Sequence, residues 1–261
     1  MGYFTVRIAP DIVDGDISKL IESDKTDTPF ASGDILFDWQ ALQVPKGTSR
    51  LVSISGYMMG QDGATQVNSD IEFIFAKSVN GTAPTTLGEE NAAQTACFEL
   101  PLHYLGTAAI EGTARATVGA AFGDTFSSGH QGAANGFTVD LVLEGELESG
   151  QNVGYDVIYV AAFAGGAIDF STGCLANYSS GAPSADSTTD IVVQTVDARK
   201  CFQKDDIVYV HDVDTALGTV SSVASGVITL TGNNAVAVAN NDEIMNATPI
   251  KVIFGFERNP Y

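Results

Sequence analysis

The sequence predicts an all-β protein: an antiparallel, jelly-roll-like β-sandwich followed by a small C-terminal β-barrel-like module. Three observations lead there. No segment of the 261 residues carries a long amphipathic helical pattern. Val, Ile, Thr, Phe and Tyr dominate the segments that show regular apolar patterning. From about Cys201 onward, short apolar runs recur at roughly ten-residue spacing with Gly, Asn and Asp between them, as in small antiparallel barrels. No fixed-period solenoid repeat is present.

Residues 1–34 read as an N-terminal arm and strand. YFTVRI alternates Tyr3, Thr5 and Arg7 against Phe4, Val6 and Ile8, a period-2 pattern that suits an edge or exchanged strand. Residues 35–200 read as the sandwich. DILFDWQALQVPKGTSRLVSISGYMMGQDG gives two strands around Pro45-Lys46-Gly47, because Pro presets φ and Gly supplies freedom to turn. SDIEFIFAKSV puts Ile71, Phe73 and Phe75 on one face and Glu72, Ile74 and Ala76 on the other. Residues 80–135 offer few clear strands, with a short helix expected around Glu89 to Ala96. AAIEGTARATVGAAFG is ambiguous, since Gly112 and Gly119 interrupt a helical pattern. GDTFSSGHQGAANG and STGCLANYSSGAPSADSTT read as loops, and FTVDLVLEGEL, GYDVIYVAAFAGGAIDF and DIVVQTVDA as strands.

Residues 201–261 read as the small module, built from KDDIVYVHDVD, GTVSSVASG, VITLTG, NAVAVANNDEI and TPIKVIFGFER. It is either a separate domain or an insertion closed off by that last strand returning to the main sheet.

Composition sets limits on function. Hydrophobic residues make up 44%, with 14 Phe and 8 Tyr, and a chain of this size buries roughly 70–75% of its unfolded surface. Neither a disulfide nor a metal is needed to hold it together. The charge is lopsided: 32 acidic residues against 12 basic give a net of −20. Nucleic-acid binding requires clustered Lys and Arg, and here only Arg199 and Lys200 adjoin. Anionic membranes repel such a surface too, so neither nucleic acid nor membrane is expected as a partner. Assembly must then come from a specific patch.

Cys97, Cys174 and Cys201 are odd in number and contain no C-x-x-C, so free thiols are expected in a protein made in a reducing cytoplasm. The N-terminus MGYFTVRIAPDIVDGD has no apolar core of signal-peptide length, and Val6 breaks the myristoylation pattern. VIYVAAFAGGAI is too short to span a bilayer.

Motifs for chemistry are scarce. There is no G-x-S-x-G, H-E-x-x-H, G-x-x-x-x-G-K-[ST] or G-x-G-x-x-G. His103, in ELPLHYLG, reads as a semi-buried structural residue, and His130 as a solvated loop residue. If Asp206 to Asp214 is a strand, Ile207, Tyr209, His211 and Val213 share one face and Val208, Val210, Asp212 and Asp214 the other. His211 is then separated from both aspartates unless the strand stops before it. A calcium site at Asp212 with Asp214, or at Asp11, Asp14 and Asp16, keeps residual merit because hard cations take carboxylates. Close acidic pairs also arise by chance in so acidic a chain. Trp39 shares a face with Ile35, Phe37 and Ala41 and reads as core, not as a sugar platform. The triplets at Asn80, Asn177 and Asn246 carry no glycosylation meaning without export. No catalytic, cofactor or metal residue is assigned, and no enzyme activity is expected.

QVPKGTSRLVSISGYMMGQDG with DIEFIFAKSVNGTAPTTLGEENA resembles virion structural proteins of tailed bacteriophages, particularly those of marine and cyanobacterial hosts. GTVSSVASGVITLTGNNAVAVANNDEI is similar to small β-barrel modules of phage head and tail proteins, where V-x-S-V is followed by I-T-L-T. The resemblance covers about half of the chain. It implies a virion component. The usual shell protein needs a long spine helix, which no run here can supply, and the acidic charge suits the capsid exterior. A decoration (cement) protein on the outside of the head is therefore the leading expectation. Its partners would be the major capsid protein and itself, as a trimer or other homo-oligomer. A tail component (tube, baseplate or fibre) and a glycan-binding adhesin module are the alternatives. The expected assembly contacts are Tyr3, Phe4, Val6 and Ile8, acting by β-augmentation.

Overall fold

The computed structural model describes residues 2–21, 27–59, 69–94, 100–112, 115–117, 124–127, 141–146, 155–179 and 181–258. The chain is all-β, as its patterning predicts, with strands numbered here in chain order. One sheet has the order β1 (Gly2–Ile8), β16 (Ile250–Arg258), β3 (Ser49–Met58), β7 (Asp124–Ser127), β6 (Arg115–Thr117), and β8 (Leu141–Leu143) also pairs with β3. A second sheet has the order β2 (Ile35–Pro45), β9 (Tyr155–Ala164), β4 (Ile71–Lys77), β5 (Tyr104–Ile110). All pairings are antiparallel.

The two sheets face each other across a phenylalanine-rich core. Phe37, Phe73 and Phe75 come from the second sheet, Phe126, Phe254 and Phe256 from the first, and all are buried. Phe254 sits between Phe73 and Phe75, edge-on to each with ring centroids 5.8 Å apart, a geometry that aligns positive ring edges with negative faces. The alternation read in SDIEFIFAKSV holds: Ile71, Phe73 and Phe75 enter this core, while Ile74 and Ala76 pack on the outer side of the sheet.

The turn after Pro45 carries the chain from one sheet to the other instead of closing a hairpin. Its strands β2 and β3 have different partners, β9 and β16. Gly47 adopts φ of +105°, a conformation open to glycine, and its N–H donates to Asp156 Oδ2 at 3.0 Å.

Trp39 departs from the simple alternation. The register of β2 shifts on both sides of Phe37, so Phe37 turns into the main core while Ile35 stays on the outer face. Trp39 lies half-buried on that outer face against Ile35, Ile74, Leu87 and Ala161, with Nε1 donating to Thr85 O at 2.8 Å. It is a packing residue, but of a satellite cluster and not of the sandwich interior.

A closed six-stranded barrel completes the fold: β10 (Cys174–Ala176), β11 (Asp190–Gln194), β14 (Val227–Leu230), β13 (Ala216–Ala224), β12 (Ile207–Val210) and β15 (Glu243–Asn246) in ring order. The barrel begins at Cys174, ahead of the change in texture near residue 201, because β10 and β11 lie inside the Ser- and Gly-rich stretch read as a loop and in the strand that follows it. Conversely, NAVAVA (234–239) forms no strand. Its backbone bonds are scattered over several partners: Asn234 N–H donates to Thr188 O, Ala235 N–H to Leu217 O and Val238 N–H to Pro183 O, while Asn234 O accepts from Asp186 N–H. Strand structure in NAVAVANNDEI starts at Glu243.

Strand β12 is apolar on both faces because it is a shared wall. Val208 and Val210 point into the barrel, whereas Ile207 and Tyr209 pack on the sandwich core. Its partner β15 does the same, with Ile244 inside the barrel and Met245 against the sandwich. The chain then passes directly into β16, between β1 and β3.

The region after residue 80 holds more strand than its composition indicates, since β5 covers Tyr104–Ile110. No helix forms over Glu89 to Gln94, and Thr95 and Ala96 lie outside the described residues, as do Cys97 and His130. Among the described residues the one α-helix is Leu100–His103, and no helix is long and apolar enough to cross a membrane.

Candidate functional site

The residues expected to carry assembly contacts lie together on β1, at the end of the six-stranded sheet. All seven residues pair with β16 without a register shift, from Gly2 opposite Arg258 to Ile8 opposite Val252. The alternation follows the sequence. Tyr3, Thr5 and Arg7 are exposed, with Tyr3 at 71% of its full accessibility. Phe4, Val6 and Ile8 are half-buried against the sandwich core, and the Phe4 ring stacks on Phe256 with centroids 5.1 Å apart. Their burial is incomplete because no strand follows β1 on its other side among the described residues.

An open edge of this kind exposes backbone donors and acceptors and is a template for pairing. Proteins normally blunt such edges with Pro, bulges or several charges. Strand β1 has seven regular residues, no Pro and one charge, Arg7. It carries no acidic residue, in a chain of net charge −20. Across the outer face, Tyr3 lies beside Glu257 and Arg7 beside Ile253, and beyond them stand Arg50, Ser53, Ser55 and Tyr57 of β3. The bases there are Arg7, Arg50 and Lys251, and the one acid on these three outward rows, Glu257, lies 3.7 Å from Arg50. This patch therefore lacks the acidic surplus of the rest of the molecule.

The carboxylate clusters serve local structure. Asp11 Oδ1 accepts from the backbone of Val13 and Asp14, at 2.9 and 3.2 Å. Burial, partly offset by those two bonds, holds the Asp11 carboxyl above its ordinary value. Asp16 caps a 3-10 turn at Ile17–Lys19, accepting from Ser18 N at 3.0 Å. Asp214 Oδ1 accepts from Ile17 N at 3.4 Å, tying the barrel to the arm. The Tyr209 phenol lies near Asp11, Asp14 and Asp214, and burial followed by these charges raises its pKa.

His211 and its neighbours differ from the strand alternation. Strand β12 stops at Val210, and Asp212 adopts φ of +64° in the following turn. The turn brings the Asp212 carboxylate to 3.1 Å from His211 Nδ1, while Asp214 points away to the arm. His211 is thus joined to one aspartate, not separated from both. Among the described residues no group of three or more His, Cys, Asp or Glu side chains is placed to hold a metal ion. His103 is buried, and its Nδ1–H donates to Lys77 O at 2.7 Å, a structural role.

Two buried ion pairs escaped the sequence reading. Lys19 and Glu90 meet at 2.8 Å beneath the arm, and Lys251 meets Asp206 at 2.7 Å where barrel joins sheet. Asp206 Oδ2 also accepts from Gln203 N and from Asn246 Nδ2, each at 2.8 Å. Asn246 is buried by these contacts, which occupy the amide of that N-x-T triplet. No local spacing signals such partners, which lie far apart in the chain. Cys174 and Cys201 are buried free thiols in the barrel interior. The Cys201 side chain and burial together push the Cys174 thiol up, which keeps it protonated and unreactive.

Comparison with protein-family models, curated proteins and solved structures returns no match.

Proposed function

We propose that this chain is a non-enzymatic structural protein of a tailed-bacteriophage virion, a decoration protein on the outer surface of the head. The observation that carries the reading is the contrast in charge. An acid-free, open-edged strand sits on a molecule of net charge −20. Such a molecule resists random association, and it meets a shell or another copy at specific places where the acidic surplus is absent. Many identical copies on a symmetric shell would add modest contacts into a large stabilisation. The phage assignment itself rests on the resemblance of the Gln43–Gly63, Asp70–Ala92 and Gly218–Ile244 stretches to virion proteins. In this role its partners are the major capsid protein and further copies of itself, and its place is the capsid exterior.

The test is addition of the purified protein to heads that lack it. Co-sedimentation with heads, and a higher temperature for release of packaged DNA, are expected, with tail assembly unchanged. Electron-microscopic density for the chain inside the tail, with none on the capsid surface, would replace this reading with the tail component.

A further inference from the structure

We infer that the β1 edge binds the β1 edge of a second copy of this chain, antiparallel about a two-fold axis at Thr5. The strand is complementary to itself in that register. A two-fold at Thr5 sets Tyr3 opposite Arg7 of the second copy and Phe4 opposite Val6, with Thr5 facing Thr5. On the outer face each exposed aromatic ring meets a guanidinium, twice over, and no two like charges are opposed. On the inner face the half-buried Phe4 and Val6 extend the apolar row of Phe254 and Phe256 from one copy into the next. Joined in this way, two six-stranded sheets become one continuous sheet.

Charge favours an acid-free edge for like-with-like contact, because two copies of net charge −20 repel. Both β1 and the end strand of the other sheet, β5, lack acids, but only β1 carries an exposed aromatic ring and a guanidinium placed to meet each other across the two-fold. The neighbouring edge, β2, is a poor template because its register shifts twice along its length. Among the described residues strand β1 has one free edge, so pairing it consumes the edge in both copies and the assembly closes at two through this contact. Nothing in the inference depends on the capsid reading. A chain that dimerises but ignores phage heads would keep this inference and sink that one.

The experiment uses the full-length chain alone. Sedimentation velocity from micromolar concentration upward is expected to show a monomer–dimer equilibrium that tightens with added NaCl, as screening relieves the mutual repulsion. Thr5→Lys sets two ammonium groups face to face on the axis. Thr5 is exposed and lies beside Gly255 in its own sheet, so the monomer tolerates the change. Self-association should weaken by at least about tenfold while the melting temperature of the dilute monomer holds. Register is read independently with cysteines. Thr5→Cys should cross-link to itself under oxidised glutathione, whereas Tyr3→Cys and Arg7→Cys should cross-link in a mixture but not singly. A chain that stays monomeric at all concentrations overturns the inference. So does a dimer indifferent to Thr5→Lys, or one in which Tyr3→Cys or Arg7→Cys links to itself and Thr5→Cys does not.

Discussion

The barrel and the sandwich solve the same problem of unpaired strand edges in opposite ways. The barrel has strands as short as three residues in β10, too short to be stable singly, and closure gives every one of them two neighbours. Its interior is mostly aliphatic, with Ile191, Leu217, Val220, Ile228 and Ile244 around a single large ring, Phe202. The sandwich also has three-residue strands, β6 and β8, but it is built mainly on longer ones, up to the 11 residues of β2, and on a core dominated by phenylalanine. Among the described residues it ends in an open edge at β1. Closure makes the barrel self-sufficient in hydrogen bonds, while the sandwich keeps backbone groups available for a partner. The two are fused through β12 and β15, each apolar on both faces, so neither region has a core of its own boundary.

That fusion is tested most severely at Phe254. Truncating it removes the ring wedged between Phe73 and Phe75, and Phe→Ala in a close-packed core costs about 3–5 kcal/mol. Because Tyr209 and Met245 share the same core, Phe254→Ala should lower the urea midpoint in one transition seen equally by sandwich and barrel probes. Two separated transitions would show that the barrel melts on its own and would break the idea of a shared wall.

The joint itself is the next target. Lys251→Met strips the cation from Asp206, whose carboxylate is completely buried. Orphaning a buried charge costs about 3–5 kcal/mol at most, less where the carboxyl escapes by taking up a proton. The variant should be markedly destabilised at pH 7, and the double variant Lys251→Met, Asp206→Asn should recover part of the loss. Equal stability of single and double variants, by urea denaturation, would show that the pair does not couple barrel to sheet.

Some of this architecture is legible in the sequence and some is not, for physical reasons. Alternation in GYFTVRI and IEFIFAK identifies both faces of β1 and β4, because large apolar side chains repeat at period 2. Val-Ile-Thr-Leu runs mark β14 just as directly. Strand β5 hides because its inward residues include Gly106 and Ala108, too small to register as a buried stripe beside Phe73 and Phe75. Strand β10 hides because three residues cannot show a period. The opposite error at Ala235 to Ala239 arises because Val–Ala alternation imitates a strand, while the segment makes isolated backbone bonds, such as Ala235 N–H to Leu217 O of β13 and Val238 N–H to Pro183 O, and no continuous ladder. For the candidate site, the four residues Tyr3, Phe4, Val6 and Ile8 are readable from alternation. Their place at a sheet edge agrees with that alternation, but the strand they pair with, β16 at the far end of the chain, is not readable from it.

A smaller effect is expected at the open end of the barrel. The buried Asn234 side chain accepts from Ser187 N and Thr188 N at 3.1 and 3.0 Å, and donates to Ser184 O and Val236 O at 2.8 and 2.7 Å. It pins the 183–189 loop onto the chain leaving β14. Asn234→Ala leaves these backbone groups without their partner and should cost about 1–3 kcal/mol. Hydrogen exchange should quicken at the Ser187 and Thr188 amides and stay unchanged in β3 and β16. Faster exchange throughout the sandwich would mean that the loop, and not the shared wall, couples the two regions.

The smallest effect is the pH dependence of the joint. Burial raises the Asp206 carboxyl above its ordinary value of 3.8, outweighing the opposing pull of Lys251, Gln203 N–H and Asn246. The native state therefore binds this proton more tightly than the unfolded chain does. The stabilisation that follows is complete below 3.8 and is lost as pH rises through the elevated native value. Asp206→Asn cannot titrate, and Asp11, shifted upward mainly by its own burial, is common to both proteins and cancels. Wild type should therefore gain stability on Asp206→Asn as pH falls from neutral toward 3.8, measured by urea denaturation at each pH. A gap moving the other way would mean that Lys251 holds the carboxylate ionised in spite of its burial. The wall between barrel and sandwich would then be tied by a full ion pair, and the joint would loosen in acid instead of tightening.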